Sequence, residues 1–188
     1  MLNLDKGTVH LSYEQGAGAT TLLLTIVRQV LESGNRVIWL GRYLPDGERS
    51  NHILGSLNGE QLQKFFIIQL EEDIDSVFRI LKIIINKMGK NDLLLIDDWC
   101  PKTGRASKVD LQNIKSILTL NNDIKSIITS TSYENLNSSD GKLKFRGGKN
   151  ISEITNLVYL YKNQETNTRI LEENDDIKII KLTKNGFE

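Results

Sequence analysis

Residues 8–32 read TVHLSYEQGAGATTLLLTIVRQVLE, and this stretch decides the fold. Its first part alternates apolar and polar side chains up to Tyr13, as a β-strand does. A glycine-rich turn, Gly16-Ala17-Gly18, follows the strand. Beyond the turn, apolar residues recur at helical spacing up to Glu32. The stretch therefore predicts a strand, a tight turn and a helix in succession, which is the unit from which α/β proteins are built.

The alternation of strands and helices continues on the C-terminal side of this unit. Further strands are predicted at residues 36–40, 65–70, 93–96 and 124–130, with helices at 75–88 and 111–120. Beyond residue 150 strands follow one another without helices, at 157–161, 169–171 and 177–182. Apolar strands separated by helices indicate a parallel sheet that is covered on both faces. We therefore predict one α/β domain over residues 1–188, with a mostly parallel sheet and antiparallel C-terminal strands.

Composition and charge narrow the class of protein. Lys plus Arg and Asp plus Glu each total 24, so the net charge is zero and contact with nucleic acid would have to come from local patches. Cys100 is the single cysteine, which excludes an internal disulfide and fits a reducing compartment. No apolar run reaches the roughly 18 residues that a membrane span needs. These features predict a soluble, cytoplasmic protein without a membrane partner.

The turn at residues 13–20 matches most of a phosphate-binding loop. Such a loop has the pattern G-x-x-x-x-G-K-[ST], in which backbone amides surround a phosphate, the lysine neutralises charge and the hydroxyl binds Mg²⁺. Gly18 and Thr20 match this pattern, whereas Tyr13 and Ala19 replace the first glycine and the lysine. The loss of one charge-assisted hydrogen bond weakens binding roughly ten- to a hundredfold. On these residues alone, a simple tight turn made by Gly16 and Gly18 is an equally good interpretation.

Segments along the rest of the chain, taken in order, resemble the RecA/RadA recombinase family. They are residues 14–22 at the position of the Walker A loop, 93–98 as the Walker B strand, 127–131 as the sensor strand, and 180–187 as the final strand and turn. The chain is similar to the short RadA paralogues of archaea, which consist of the ATPase core alone. The resemblance covers nearly the whole chain and implies a RecA-like P-loop NTPase core.

The resemblance also implies a nucleotide site. Its residues would be Gly16, Gly18, Ala19, Thr20, Thr21 and Asp97, with Thr20 and Asp97 near the metal if magnesium and nucleotide bind. The family's catalytic glutamate lies just beyond the second strand, where this chain reads Leu40-Gly41-Arg42-Tyr43 without a carboxylate, and Glu48 lies too far along to replace it. We therefore predict a degenerate Walker A motif and a pseudo-ATPase, which binds ATP and Mg²⁺ weakly at most unless a cation such as Lys6 or Arg42 substitutes for the lysine.

Two long segments fall where this family places its DNA-binding loops. Loop 1 (residues 101–108) follows the Walker B strand and loop 2 (residues 132–149) follows the sensor strand. The resemblance implies that both loops hold single-stranded DNA. The candidate contacts are Lys102, Arg105, Lys108, Lys142, Lys144 and Arg146. The alternative is that these side chains are solvated charges on surface loops.

Three functions from different classes follow. The first is a recombination and DNA-repair accessory protein, a catalytically silent RadA paralogue that binds a recombinase or another RecA-fold protein, single-stranded DNA, or both. The second is a weak ATPase of the RadA or KaiC type. The third is a structural RecA-fold subunit outside repair, as in the Elongator complex. The basic loops favour the first function over the third, and the changes at the nucleotide site disfavour the second.

Overall fold

The computed structural model describes residues 2–5, 7–70, 74–120, 123–134, 143–174 and 176–188. Its strands are β1 (Val9–Tyr13), β2 (Val37–Gly41), β3 (Phe65–Gln69), β4 (Leu93–Asp97), β5 (Lys125–Thr131), β6 (Tyr133–Glu134), β7 (Leu143–Lys144), β8 (Asn156–Lys162), β9 (Thr168–Glu173), β10 (Asp176–Thr183) and β11 (Gly186–Phe187). Its helices are α1 (Ala19–Glu32), α2 (Gly47–Leu54), α3 (Gly59–Leu62), α4 (Ile74–Ile85), α5 (Lys108–Leu118) and α6 (Lys149–Ser152). Among these residues, no helix has both the length and the apolar character needed to cross a bilayer.

The main sheet has the strand order β11-β10-β9-β8-β1-β5-β4-β2-β3. The strands from β8 to β3 run parallel, and β9, β10 and β11 continue the sheet antiparallel. This arrangement confirms the predicted α/β class with antiparallel C-terminal strands. Tyr13, at the end of β1, lies beside Thr131 of β5 and Leu160 of β8. Because parallel strands end at one edge of the sheet, the turns after β1, β4 and β5 meet there.

Helices cover both faces of the parallel part of the sheet. One face packs against α1, whose buried residues form a cluster with Trp39 of β2 and Leu160 of β8. The other face packs against α4 and α5, through Leu81 and Ile114 among others. Two-sided burial is why β2 and β4 read as nearly unbroken apolar runs instead of alternating patterns.

The last short strand lies directly on α1. Gly186 has a φ angle of 117°, and a Cβ atom there would lie 2.2 Å from Thr25 Oγ1. That hydroxyl accepts a hydrogen bond of 3.1 Å from the backbone amide of Phe187. Only glycine allows this approach, and it brings the buried Phe187 ring towards the turn that precedes α1.

Some elements differ from the sequence prediction. α2 and α3 lie in a region that has too few apolar residues to show helical periodicity, and only Ile53 and Leu54 of α2 are buried. α5 begins at Lys108, before the predicted residue 111, because Ser107 and Asp110 form a capping box. Loop 2 is not wholly irregular, since β6 and β7 pair at its base.

Candidate functional site

The turn between β1 and α1 contains two glycines with left-handed backbone angles. Gly16 and Gly18 have φ angles of 79° and 89°, a region that glycine adopts without steric cost. Gly18 directly precedes α1, and its carbonyl accepts a hydrogen bond of 3.0 Å from Leu22. α1 has neither a side-chain cap nor an acidic residue in its first turn. An uncapped helix start leaves its first amides available to an anion.

Tyr13 occupies the position of the first glycine of the motif. Its side chain is buried, and its hydroxyl donates a hydrogen bond of 2.6 Å to Asp98 Oδ1. Burial, and then the negative charge of Asp98, hold the pKa of the Tyr13 phenol well above its usual value. The phenol therefore remains a protonated donor. Its side chain links the end of β1 to the residue after β4, although β5 lies between these strands in the sheet.

Asp98 joins this bond to loop 1. Its Oδ2 lies 3.1 Å from Lys102 Nζ, and the Lys102 ammonium lies 5.1 Å from the centre of the Tyr43 ring. The backbone of Asp98 has a φ angle of 51°, and its amide donates a hydrogen bond of 2.9 Å to Thr129 Oγ1. Tyr13, Asp98 and Lys102 are called the Asp98 cluster below. Asp98 is only 4% exposed, and its carboxylate has the Tyr13 phenol and the Lys102 ammonium as partners.

Asp97, the carboxylate predicted to lie near the metal, also has a hydrogen-bonding partner within the protein. Its Oδ1 accepts a hydrogen bond of 2.8 Å from Thr129 Oγ1. Burial and the neighbouring Asp98 raise the pKa of Asp97 to about 6, against the opposite effects of Thr129 and Lys102. The folded chain thus holds this proton more tightly than the unfolded chain. The resulting contribution to stability is full at low pH and is lost as the pH rises through 6.

The remaining predicted nucleotide residues lie at the start of α1. Ala19 is buried in the core cluster on the α1 side of the sheet and supplies no charge. Thr20 is half-buried. Thr21 is nearly buried, and its Oγ1 accepts a hydrogen bond of 3.1 Å from Arg49 Nε. Arg49 also donates to the carbonyls of Thr183 and Lys184, so it ties the start of α1 to the C-terminal strands.

Contacts from the C-terminal strands hold the turn itself without a ligand. Arg169 Nε donates a hydrogen bond of 2.8 Å to the carbonyl of Ala17. Lys162 binds Glu14 twice, through a backbone hydrogen bond of 2.8 Å and an ion pair of 3.4 Å. The Phe187 ring lies 3.4 Å from the position that a Cβ on Gly18 would take. The loop is therefore fixed by β8, β9 and β11.

These residues do not fit a tightly held magnesium–nucleotide. Asp97 and Asp98 already have partners, and Ala19 supplies no cation. Arg42 cannot easily replace the lysine, since its guanidinium lies 2.5 Å from Asp110. Glu48 is exposed in the first turn of α2. Within the described ranges, no group of three or more His, Cys, Asp or Glu side chains is placed to hold a metal ion.

The predicted DNA contacts of loop 1 lie in different surroundings. Lys102 is paired with Asp98, whereas Arg105 is exposed. Lys108 is exposed at the first residue of α5. In loop 2, Lys144 is exposed on β7, while Lys142 lies outside the described residues. Arg105, Lys108 and Lys144 are thus open to a ligand.

Arg146 has a structural position, not the exposed one that the DNA prediction assumed. It is 6% exposed, and its guanidinium donates hydrogen bonds to carbonyl oxygens of Thr131, Gly104 and Lys102. It also lies 5.6 Å from the centre of the Tyr133 ring. Its donors satisfy loop carbonyls and hold loop 1 against the base of loop 2. This contact was missed because the bonded residues lie 15 to 44 positions away in the chain.

An open cavity of about 640 Å³ lies between the two loops. Arg105 and Lys144 line it with basic side chains, and Tyr133, 43% exposed, adds an aromatic ring. Gly147 and Gly148 line it as well. We call this space the loop cavity. Its combination of cations and an aromatic surface suits an anionic, aromatic ligand such as a nucleic-acid strand.

Comparison with known proteins agrees with this geometry. No protein-family model and no curated protein matches the chain. Among solved structures, the RadB recombinase matches with a TM-score of 0.70 and 18% sequence identity, over 97% of this chain and 90% of that one. The chain has a RecA-like recombinase fold. The predicted RecA-like core fold is thereby confirmed.

Proposed function

We propose that the chain is a catalytically silent RecA-fold accessory protein of homologous recombination and DNA repair. In this proposal it binds single-stranded DNA in the loop cavity and docks on a recombinase or another RecA-fold protein, in the cytoplasm. The observation that carries the proposal is the Asp98 cluster. In it, the Tyr13 hydroxyl and the Lys102 ammonium bind the Asp98 carboxylate, which directly follows the predicted Walker B strand. The fold supports a role among recombinases, whose working members need that region for nucleotide.

The silent nucleotide site follows from charge. A working phosphate-binding loop places a lysine against the phosphoryl group that is transferred, and other groups of the loop do not easily replace its positive charge. Here Ala19 is neutral, and Lys102 is held by Asp98. Releasing Lys102 would leave Asp98 partly unpaired in a buried position, which is unfavourable. The backbone amides after Gly18 can still donate hydrogen bonds to a phosphate, so weak nucleotide binding without turnover is expected.

The DNA role is supported by the loop cavity. Arg105 and Lys144 approach it from opposite loops, which Arg146 holds together. Phosphates can contact the two exposed cations while a base stacks against Tyr133. Since the chain as a whole carries no net charge, attraction to DNA has to arise at this place.

The partner role is supported by the edge of the sheet at β3. Phe66 and Ile67 are 42% and 43% exposed on this edge strand, and Ile83 of α4 is 62% exposed beside it. An open groove of about 740 Å³ runs between β3 and α4, where three basic side chains, Arg36, Lys64 and Lys87, outnumber the one carboxylate, Glu60. An open strand edge beside an apolar groove suits an extended segment of a partner protein. The basic rim favours a segment with carboxylates next to its apolar anchor.

The nucleotide site gives the first prediction. We expect the wild-type protein to bind Mg-ATP more weakly than about 100 µM, without turnover. The double variant Tyr13→Gly/Ala19→Lys should bind at least about tenfold more tightly, because it restores the cation and removes the side chain that engages Asp98. Titration calorimetry checks both values, with Tyr13→Gly alone as the control. Micromolar affinity in the wild type would contradict the proposal.

The loop cavity gives the second prediction. Replacing Arg105 and Lys144 by alanine should flatten the log–log dependence of single-strand binding on salt by about 1.4, at about 0.7 per phosphate contact. Fluorescence anisotropy with a labelled oligonucleotide measures the slope. The matched control is Lys82→Ala/Lys90→Ala, which removes two exposed charges far from the loops. If the two double variants have the same salt dependence, Arg105 and Lys144 do not contact the phosphates of the strand. Absence of any single-strand binding at low salt would favour the structural-subunit alternative.

The β3 edge gives the third prediction. The double variant Phe66→Asp/Ile83→Asp should lose most of its capture of a RecA-fold recombinase from native extract, since it puts charge on the apolar docking surface. Mass spectrometry identifies the captured proteins. Val109→Asp is the control, because Val109 is 64% exposed on α5, away from this edge. If the wild type, the double variant and the control capture the recombinase equally, the contact does not lie at the β3 edge.

A further inference from the structure

The short hairpin at the base of loop 2 brings an aromatic ring and an ammonium group together in the loop cavity. Tyr133 of β6 pairs with Lys144 of β7 in the antiparallel register. Directly opposite residues of such a pair project from the same face, with Cβ atoms about 4.5 to 5.5 Å apart. Both side chains line the cavity. Glu134 follows Tyr133 in β6, so its carboxylate projects from the opposite face of the hairpin.

The guanidinium of Arg146 lies over the Tyr133 ring, 5.6 Å from its centre. A guanidinium is planar and carries its donors in a fixed fork. In this chain the fork is bound to backbone carbonyls: Nε donates to Thr131, Nη1 to Gly104 and Nη2 to Lys102. Arg146 is only 6% exposed, which keeps it from the bidentate phosphate contact that an open arginine makes.

Neighbouring residues fix the backbone that carries Arg146. The Phe145 ring meets the buried His10 ring edge to face, with ring centres 5.9 Å apart. Gly147 has a φ angle of 89° and lies so close to α6 that a Cβ atom there would collide with Ile151. Glycine alone allows this approach without strain. The guanidinium is therefore held in place by protein contacts on both sides of it in the chain.

We infer that Arg146 is a positioning residue for base recognition in the loop cavity. Its guanidinium supports one face of the Tyr133 ring, and a base of a single strand stacks on the other face. Lys144, next to that ring, contacts a phosphate beside the stacked base. The inference rests on the proposed function, because it specifies how the cavity holds the strand. It implies that the cavity distinguishes a strand that carries bases from a bare sugar–phosphate chain of equal charge.

The role attributed to Arg146 needs the chemistry of arginine. One planar group satisfies carbonyl oxygens from two loops and also lies against an aromatic ring. The ammonium of a lysine has the same charge but no plane and no fork. Arg146→Lys therefore separates positioning from charge. The attraction of the cavity for phosphates should remain in this variant, whereas the Tyr133 ring should lose its support.

Fluorescence anisotropy with two labelled probes of equal length tests base recognition. One probe is a deoxythymidine oligomer, and the other is an abasic strand with the same number of phosphates. The wild type should bind the deoxythymidine oligomer at least about fivefold more tightly, because stacking on an aromatic ring strengthens the binding of a base by that factor or more. Tyr133→Leu should lose this preference. Tyr43→Leu is the control, since Tyr43 is 62% exposed and lies outside the cavity lining.

The same two probes test the positioning role. Arg146→Lys should lose most of the preference for bases, while its affinity for the abasic strand and the salt dependence of that binding stay at the wild-type values, since the phosphate contacts are unchanged. The matched control is Arg49→Lys, which alters another arginine that donates to backbone carbonyls, those of Thr183 and Lys184. This control should keep the preference. Circular dichroism verifies that each variant is folded.

The results that would overturn the inference differ from those that would overturn the proposed function. If the wild type binds both probes equally, Tyr133 does not recognise a base, although Arg105 and Lys144 can still hold phosphates. If Arg146→Lys keeps the preference, or weakens the binding of both probes equally, Arg146 does not act through Tyr133. If the wild type binds neither probe at low salt, the proposed DNA role and this inference are both wrong.

Discussion

The hydrogen bond between the Tyr13 phenol and the Asp98 carboxylate is the interaction on which the rest of the site depends. It joins the end of β1 to the residue that follows β4. From Asp98 the contacts continue to Lys102 in loop 1 and, through its amide, to Thr129 in β5. The carbonyl of Lys102 then accepts a hydrogen bond from Arg146, at the far side of loop 2. One continuous network thus connects the end of β1 to the loop cavity.

This network supplies protein partners for the buried carboxylates at this edge of the sheet. A buried carboxylate is strongly unfavourable unless it has charged or hydrogen-bonding partners. In an active ATPase, the magnesium ion that accompanies the nucleotide supplies the opposite charge at this edge. In this chain a phenol and an ammonium supply the partners for Asp98, and Thr129 supplies one for Asp97. In the proposed function, the neutral Ala19 and the Asp98-binding Tyr13 therefore act together, because the carboxylates already have protein partners where a nucleotide site would need a cation.

Sequence reasoning identified the features that depend on local pattern. The strand–turn–helix unit around Gly16 and Gly18, the apolar strand before Asp97 and the change to antiparallel strands were all predicted, because periodicity and glycine spacing are local signals. Contacts between distant residues were not predicted. Arg49 binds Thr21 and the C-terminal carbonyls, and Arg146 is buried between the loops. A basic residue in a loop has the same appearance in a sequence whether it is solvated or bonded to carbonyls, so no local signal separates Arg146 from Lys144.

The most direct test of this account is a double-mutant cycle between Tyr13→Phe and Asp98→Leu, with the stability of each variant measured by chemical denaturation. Both changes approximately keep the size of the side chain and each removes one of the two hydrogen-bonding groups, so the cycle isolates the interaction between them. A buried hydrogen bond to a charged acceptor predicts a coupling free energy of about 1 to 3 kcal/mol. Additive effects of the two substitutions, with no coupling, would mean that the phenol does not hold Asp98, and the account of a protein-satisfied nucleotide site would be wrong.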